Sequence, residues 1–254
     1  MFKIIIHFIL FYIIIYLIYK IYNKYHSKEH FNQEPKDWLE NIFDDRQIIT
    51  IPERLEHVKS FCNSFEIKPT IFNAILKKDL SYNNIYNLKI GEIACALSQE
   101  AVLRQFINSG SRHLLLLEDD NLPLTNSFYS EIGLSLTIIK DYIHDSVFNI
   151  PYDWDVIYFG RCWDDCAKHI PINDFIVKTN RTLCHHAIAF SRKGAQIILE
   201  AIKHPLSVPI DHVVANLSLL GKINSYATIL PVFYQNRIEL NSTIGNYDHL
   251  PICL

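Results

Sequence analysis

The chain has 254 residues, of which 49% are hydrophobic and 20% are charged, and its formal net charge is −3. This composition excludes a disordered chain and suits a medium-sized domain with a substantial core. The sequence shows no basic cluster typical of nucleic-acid binding, and its 7 glycines form no dinucleotide or phosphate-loop motif.

The first segment is apolar enough to cross a membrane. Between Ile4 and Tyr22 the only charged residue is Lys20, and a helix of this length would span about 28 Å, close to the roughly 30 Å of a bilayer core. No small-residue cleavage site follows, so we predict an uncleaved signal anchor over residues 1–22, with a buried core helix as the alternative. Residues 23–45 are polar and patternless, which predicts a stalk.

The orientation of this anchor is open on the sequence. Lysines after the apolar run favour a main domain in the cytoplasm. Three glycosylation sequons favour a main domain in a secretory lumen, where such sites are glycosylated. The sequons begin at Asn180, Asn216 and Asn241. We predict a single-pass membrane protein whose main domain, residues 46–254, is lumenal.

Strands and helices alternate along the main domain. The first half predicts strands over 47–51 and 69–75, a helix from Pro52 to about Phe65, a helix over 91–109 closed by Gly110, and a strand over 113–118. The second half predicts a helix over 126–143, a strand over 154–159, an irregular loop over 160–182, a strand over 185–190, a helix capped by Ser191 and ending near Ile202, and a helix over 211–220 ended by Gly221. This alternation predicts an α/β fold with a central, mostly parallel sheet flanked by helices.

Three of the six cysteines lie in or next to the predicted loop, namely Cys162, Cys166 and Cys184. In an oxidising lumen two of the three can form a disulfide. Zinc binding is the alternative, although the second cysteine pair that usually accompanies such a site is absent. The sequence leaves the pairing open.

The leucine strand ends in three consecutive acids, Glu118, Asp119 and Asp120. Adjacent carboxylates repel, and their pKa values rise unless a cation neutralises them. Ligands also bind at the carboxyl ends of strands in open α/β sheets. A metal-dependent site is therefore one interpretation. A solvated acidic turn is the other, because Asp119, Asp120 and Asn121 are also good turn residues.

Six segments occur in a characteristic order along the chain. They are Gly91-Glu-Ile-Ala-Cys-Ala-Leu-Ser98, Leu115-Leu-Leu-Glu-Asp-Asp120, Trp154-Asp-Val-Ile-Tyr-Phe-Gly160, His186-Ala-Ile-Ala-Phe-Ser-Arg-Lys-Gly-Ala195, Pro209-Ile-Asp211, and Gln235 ahead of Asn241-Ser-Thr-Ile244. In this order they resemble glycosyltransferase family 25, which includes bacterial lipooligosaccharide transferases and collagen galactosyltransferases. Together they cover roughly residues 47–245.

The resemblance implies a GT-A-type fold that uses a nucleotide-sugar donor, typically UDP-galactose, with Mn²⁺ or Mg²⁺. In sugar transfer the leaving diphosphate gains negative charge, which a carboxylate-held divalent ion neutralises. The match places the metal on Asp120, with Asp119 and Glu118 contacting the metal or the donor ribose.

The family inverts the anomeric centre, which implies a general base for the acceptor hydroxyl. Asp211, in the matched Pro-Ile-Asp segment, is our candidate. The alternative is that Asp211 caps the helix that follows it, because Asp is a preferred N-cap residue.

Further matched residues imply substrate contacts. Arg54 corresponds to the family's arginine after the first strand and can pair with donor phosphates, or it is an exposed helix residue. Asp155 is either a donor contact or a tether for its own strand. Gln235 and Ser242 are candidates to contact the acceptor.

One departure from the family is Gln99, which stands where the family has histidine and puts activity in doubt. We predict a membrane-anchored, metal-dependent, inverting glycosyltransferase that moves a hexose, galactose or glucose, from a UDP-sugar to a glycan or glycoprotein hydroxyl. The alternative is a catalytically silent binding or adhesion module on the same fold. A metal-dependent hydrolase lacks the clustered His and Asp ligands that such sites need.

Overall fold

A computed structural model of the chain describes residues 37–83, 85–123, 135–237 and 239–240. The predicted anchor, residues 23–36 of the predicted stalk, and Ser242 lie outside these ranges. Among the described residues, no helix is both long enough and apolar enough to cross a membrane.

The described chain forms one large mixed sheet and two short two-stranded ribbons. Its strands are β1 (Asp45–Thr50), β2 (Thr70–Asn73), β3 (His113–Glu118), β4 (Asn121–Pro123), β5 (Val156–Gly160), β6 (Trp163–Asp164), β7 (Ile170–Pro171), β8 (Ile176–Thr179), β9 (Thr182–Leu183), β10 (Ala187–Ser191), β11 (Ser225–Thr228) and β12 (Phe233–Gln235). The large sheet has the order β2-β1-β3-β10-β5-β11-β8-β7. Within it β10 and β8 are antiparallel to their neighbours, and the other strands share one direction. The predicted α/β fold with a mostly parallel central sheet is confirmed.

Helices cover both faces of this sheet. They are α1 (Leu55–Phe65), α2 (Ile90–Ser109), α3 (Leu136–Phe148), α4 (Arg192–Ala201) and α5 (Ile210–Leu219). Leu114 and Leu116 of β3 belong to the core formed with α2, α4 and α5, whereas Leu115 and Leu117 belong to the core formed with α1 and α3. Since successive side chains of a strand point to opposite faces, β3 is buried on both sides and its acidic end is fixed at the sheet's edge.

The local signals that end and begin helices are confirmed. Gly110 follows α2 in the left-handed conformation, with φ of 84°, a geometry that glycine adopts without steric cost. Ser191 caps α4, because its hydroxyl accepts a hydrogen bond from the amide of Gly194 at 3.0 Å.

The predicted stalk boundary at residue 45 is wrong for residues 37–45. This segment belongs to the compact unit that begins at Asp37, and its Leu39 and Phe43 are each only 1% exposed. The segment carries four apolar residues, Trp38, Leu39, Ile42 and Phe43, and all four pack into the core formed with α1 and α3. A stretch this short holds barely two helical turns, so only its tertiary packing shows that it is folded.

The predicted loop over 160–182 is also more ordered than expected. It contains β6, β7 and β8, and β8 pairs with β11, about fifty residues further along the chain. Helix α3 begins at Leu136, inside the helix predicted over 126–143, and the hydroxyl of Ser135 accepts a hydrogen bond from the amide of Ile138 at 3.3 Å. Residues 126–134 of the predicted helix lie outside the described ranges.

A disulfide between Cys162 and Cys184 selects one of the pairings that the sequence left open. It joins the exit of β5 to the approach to β10. Cys184 adopts the left-handed conformation, with φ of 69°, which is uncommon for a residue other than glycine.

Gly194 offers a test of the packing between α4 and β5. A Cβ at this position would collide with the backbone oxygen of Asp155. We therefore expect Gly194→Ala to lower the free energy of unfolding by about 1–3 kcal/mol, measured by urea denaturation. Gln196→Ala, on the exposed face of the same helix, is the control and should stay within about 0.5 kcal/mol of wild type. Equal stability of the two variants would contradict this packing.

Candidate active site

Asp119 is held by the connection between β1 and α1. Its Oδ1 accepts a hydrogen bond from Nη1 of Arg54 at 2.7 Å, and its Oδ2 accepts one from the amide of Ile51 at 3.0 Å. The two side chains of the ion pair are each only 10% exposed, so removing one would leave a buried, unpaired charge. Arg54, predicted to bind donor phosphate, thus has a carboxylate of the protein as a partner.

Asp120 is held by β12. Its Oδ2 accepts a hydrogen bond from Nε2 of Gln235 at 3.2 Å, while its Oδ1 is buried without a hydrogen-bond partner among the described residues. Burial raises the pKa of Asp120, although the nearby guanidinium of Arg237 opposes that rise. A buried carboxylate oxygen without a donor is rare in native proteins, and a bound cation would account for it.

Glu118 is held by α2. Its Oε1 accepts a hydrogen bond from Nε2 of Gln99 at 3.0 Å. Burial, followed by the charges of Asp120 and Asp119, raises the pKa of Glu118 to about 8. Asp119 and Asp120 do form a turn, but they are only 8% and 7% exposed. A solvated turn therefore does not describe the triplet.

The three acids line one cavity of about 360 Å³ at the carboxyl edge of the sheet. Its wall also carries four cationic side chains, from Arg54, Lys77, Lys78 and Arg237. Predicted residues that the fold brings together here are Arg54, Glu118, Asp119, Asp120 and Gln235. The cavity thus combines a buried acidic floor with several cations.

Sequence reasoning missed Lys77, Lys78 and Arg237. Both lysines lie on a short 3₁₀ helix, Lys77–Asp79, that follows β2. Because β2 and β1 run parallel to β3, residues after β2 lie at the same edge of the sheet as the acidic triplet. The position of the two lysines directly after a predicted strand could therefore have indicated that they lie near the triplet. Arg237 follows Gln235 by two residues, and its Nη2 donates to Oε1 of Gln235 at 2.5 Å.

Asp211 does not cap its helix from the N-cap position. Helix α5 begins at Ile210 after Pro209, and Asp211 is its second residue. Its Oδ2 accepts a hydrogen bond from the amide of Cys184 at 3.3 Å, and its Oδ1 accepts one from the amide of His212 at 2.9 Å. Asp211 is not among the residues that line the cavity, but its charge contributes to the raised pKa of Glu118. The two carboxylates therefore interact electrostatically.

Asp155 lies at the opposite edge of the sheet. It precedes β5, whose direction is that of β3, so it stands at the amino end of the strand. Its carboxylate accepts the amide of Asn224 at 2.8 Å and pairs with Lys193 at 3.1 Å. The fold does not bring Asp155 to the cavity, and its contacts are those of a strand tether.

No group of three or more His, Cys, Asp and Glu side chains in the described part of the chain is arranged to hold a metal ion by itself. Two oxygens of Asp119 and one of Glu118 already accept hydrogen bonds from protein donors. Oδ1 of Asp120 is the triplet's buried oxygen that lacks such a donor.

No family model matches the chain, and no curated protein is significantly similar to it in sequence. The solved structures that match include a UDP-glucose pyrophosphorylase and a glycosyltransferase. The comparisons do not reach family 25.

Three of these structures illustrate how distant the likeness is. A197 from STIV is 16% identical, with 80% of this chain and 97% of that chain covered at a TM-score of 0.38. A UDP-glucose pyrophosphorylase complexed with UDP-glucose is 8% identical, with 72% and 89% covered at 0.39. A glycosyltransferase involved in glycosylation of the major capsid of PBCV-1 is 9% identical, with 63% and 68% covered at 0.30. Likenesses this weak carry no functional argument, so function has to be argued from the site.

The raised pKa of Glu118 gives a stability prediction for the metal-free protein. With its pKa raised to about 8, Glu118 keeps its proton in the folded state up to about that pH, whereas the unfolded chain releases it near the ordinary glutamate pKa of 4.5. The free energy of unfolding contributed by this group therefore falls as pH rises through that window.

We accordingly expect Glu118→Gln to gain stability relative to wild type between pH 5 and pH 8, measured by urea denaturation in the presence of a chelator. Glu53→Gln, an exposed carboxylate on the same cavity, is the control and should show no such gain. A Glu118→Gln difference that is constant with pH would show that Glu118 is ionised in the folded protein.

Proposed function

We propose that this protein is a GT-A-type, family 25-like inverting glycosyltransferase. It would move a hexose, galactose or glucose, from a UDP-sugar to a hydroxyl of a glycan or glycoprotein. The observation that carries the proposal is the cavity at the end of β3, where a buried carboxylate with one unpartnered oxygen lies among four cationic side chains. A nucleoside diphosphate accompanied by a divalent cation would complement this site, because its anionic oxygens suit the cationic side chains and the cation suits the carboxylate.

Asp120 is the residue that we propose to hold the divalent ion, Mn²⁺ or Mg²⁺. Its Oδ1 lacks a donor among the described residues and its pKa is raised by burial, so the residue fits a cation. Nucleotide sites often hold such an ion with one or two carboxylates plus substrate phosphates, without a full cage of protein ligands. When bound, the ion would neutralise charge on the leaving diphosphate.

The cationic wall would bind the diphosphate itself. Arg54 is fixed by Asp119, so its guanidinium needs little reorganisation as charge develops on the leaving group. Lys77 and Lys78 are exposed on the wall of the cavity and would attract the anionic donor. We therefore assign Asp119 a positioning role toward Arg54, with Glu118 and Asp119 as secondary metal or ribose contacts.

Asp211 is our proposed general base. It interacts electrostatically with Glu118 without lining the same cavity, a placement that suits a group which meets the acceptor rather than the donor phosphates. In a single displacement its carboxylate would take the acceptor hydroxyl's proton as the bond to the diphosphate breaks. Gln235, on the cavity beside Asp120, remains the proposed acceptor contact, and Ser242 stays a sequence-based candidate.

We also propose that residues 1–22 anchor the protein in a membrane with its main domain in an oxidising lumen. The disulfide between Cys162 and Cys184 supports this location, because disulfides persist in oxidising compartments.

The proposal is tested by incubating the full-length protein with a panel of UDP-sugars and Mn²⁺ and measuring UDP release. Turnover of a donor, lost on chelation, is the expected result. Metal-dependent UDP binding without turnover of any donor would instead favour the silent binding module. Neither turnover nor metal-dependent UDP binding would refute the donor site.

Asp120→Asn should lower donor turnover by about 10²–10³-fold, because a neutral amide cannot hold the cation that offsets charge on the leaving group. The measurements are UDP release and Mn²⁺-dependent UDP binding by calorimetry. Asp174→Asn, an exposed carboxylate on the protein surface, is the matched control. An Asp120→Asn variant with wild-type metal dependence would remove this residue from the metal site.

Asp211→Asn should lower transfer to an acceptor by about 10²–10⁴-fold while leaving the Kd for UDP unchanged, because the base acts on the acceptor. Transfer is measured from the donor identified in the UDP-sugar panel to a panel of glycan and glycoprotein acceptors. Full transferase activity in Asp211→Asn would limit Asp211 to its contacts with Cys184 and His212.

A further inference from the structure

The connection from β2 to α2 carries two of the four cations of the cavity. Lys77 and Lys78 lie on the short 3₁₀ helix Lys77–Asp79, and their exposed side chains line the cavity. Such short helices have poor hydrogen-bond geometry, so the position of the two lysines depends on contacts made on either side of the turn. These contacts are made by residues 75–82, which we call the strap.

The start of the strap is bound to α2. The amide of Ile75 donates a hydrogen bond to Oγ of Ser98 at 2.9 Å, and Oγ of Ser98 donates in turn to the carbonyl oxygen of Ala94 at 2.8 Å. Ser98 is only 1% exposed, and a hydrogen bond in such a low-dielectric interior is stronger than one in water. The strap therefore leaves β2 at a fixed point on α2.

The end of the strap is bound by the hydroxyl of Tyr82. This hydroxyl accepts a hydrogen bond from the amide of Leu206 at 2.5 Å and lies 3.0 Å from Nδ1 of His204. Nε2 of His204 lies 2.8 Å from Oε2 of Glu100, which also pairs with Arg104 at 2.7 Å. A carboxylate can only accept, so Nε2 of His204 carries a proton, and in the neutral ring Nδ1 accepts the proton of the Tyr82 hydroxyl. Each polar group in this series therefore has a partner.

Both attachments lead to adjacent, buried residues of α2. Ser98 holds the start of the strap, and Glu100 holds its end through His204. Gln99, between them, donates to Oε1 of Glu118 in the acidic triplet at 3.0 Å. The 3₁₀ helix of the strap also packs against α2. Three consecutive residues of one helix thus fix the two lysines of the cavity wall relative to its acidic floor.

Tyr82 does not line the cavity, and its ring packs against the core formed with α2, α4 and α5. We propose that Tyr82 is a positioning residue for donor binding: its hydroxyl holds the strap so that Lys77 and Lys78 face the donor diphosphate. The inference rests on the proposed function. A lysine ammonium is a point charge on a flexible stem, so its attraction for an anion depends on how firmly the backbone beneath it is held.

Tyr82→Phe tests this role in the full-length protein, because it removes the hydroxyl and keeps the packed ring. We expect the KM for the UDP-sugar to rise about five- to tenfold, comparable with the loss of one hydrogen bond. The kcat should not change, since the lysines attract the donor equally in the ground state and in the transition state. Tyr86→Phe, an exposed tyrosine of the same connection, is the control and should keep the wild-type KM. A wild-type KM in Tyr82→Phe, or a fall in kcat without a change in KM, would overturn the inference.

A double-mutant cycle separates action through the lysines from structural damage. Lys77→Ala combined with Lys78→Ala should itself raise the KM for the donor, and adding Tyr82→Phe to that pair should raise it no further. Structural damage would impair the enzyme equally with and without the lysines. A Tyr82→Phe effect of full size in the protein that lacks both lysines would therefore overturn the inference.

Hydrogen exchange followed by mass spectrometry measures the attachment of the strap without any nucleotide. In Tyr82→Phe the amides of residues 76–80 should exchange about tenfold faster than in wild type, while the amides of β3 keep their wild-type rates. Unchanged exchange over residues 76–80 would overturn the inference even in an active transferase. A wild-type protein that turns over no donor would instead overturn the proposed function, and the role of Tyr82 in donor binding with it.

Discussion

Placing three adjacent carboxylates at the end of one strand, two of them buried and one half-buried, is the constraint on which the arrangement of this site depends. Acids so close together repel, and the fold meets that repulsion by giving each one a partner from a different segment. Those partners are Gln99 of α2 for Glu118, Arg54 and Ile51 from the β1–α1 connection for Asp119, and Gln235 of β12 for Asp120. Elements far apart in sequence therefore converge on the end of β3, and the cavity lies among them.

This arrangement divides the proposed chemistry between two sides. Arg54, the lysines after β2 and Asp120 surround the cavity, where a leaving group with negative charge would be stabilised. Asp211 does not line the cavity and lies near the start of β10, where it accepts the amide of Cys184. Gln99 is the residue in contact with both sides, because its amide bonds to Glu118 and to His185. A substitution that seemed to put activity in doubt is thus an integrated part of the buried network.

Local chemistry was readable from the sequence where one residue type determines the outcome. Gly110 ends α2 and Ser191 begins α4 because of backbone freedom and capping, and the leucines of β3 form a strand buried on both faces. The position of the acidic triplet at an edge of the sheet was also predictable, because the triplet ends the leucine strand. Long-range partners could not be predicted, because nothing local indicates that β8 pairs with β11 or that Arg54 pairs with Asp119. Such contacts depend on which segments the fold brings together, and a single sequence does not encode that in its periodicity.

The carboxylate of Asp37 has a practical consequence for anyone shortening this protein. It accepts hydrogen bonds from the amides of Leu39 and Lys68 and from the side chain of Arg46, so it joins the first described residues to β1 and to the chain before β2. A truncation placed where the polar sequence seems to end, near residue 45, would remove this junction together with Leu39 and Phe43 from the core. Fragments intended for crystallisation should therefore keep Asp37 and begin upstream of it.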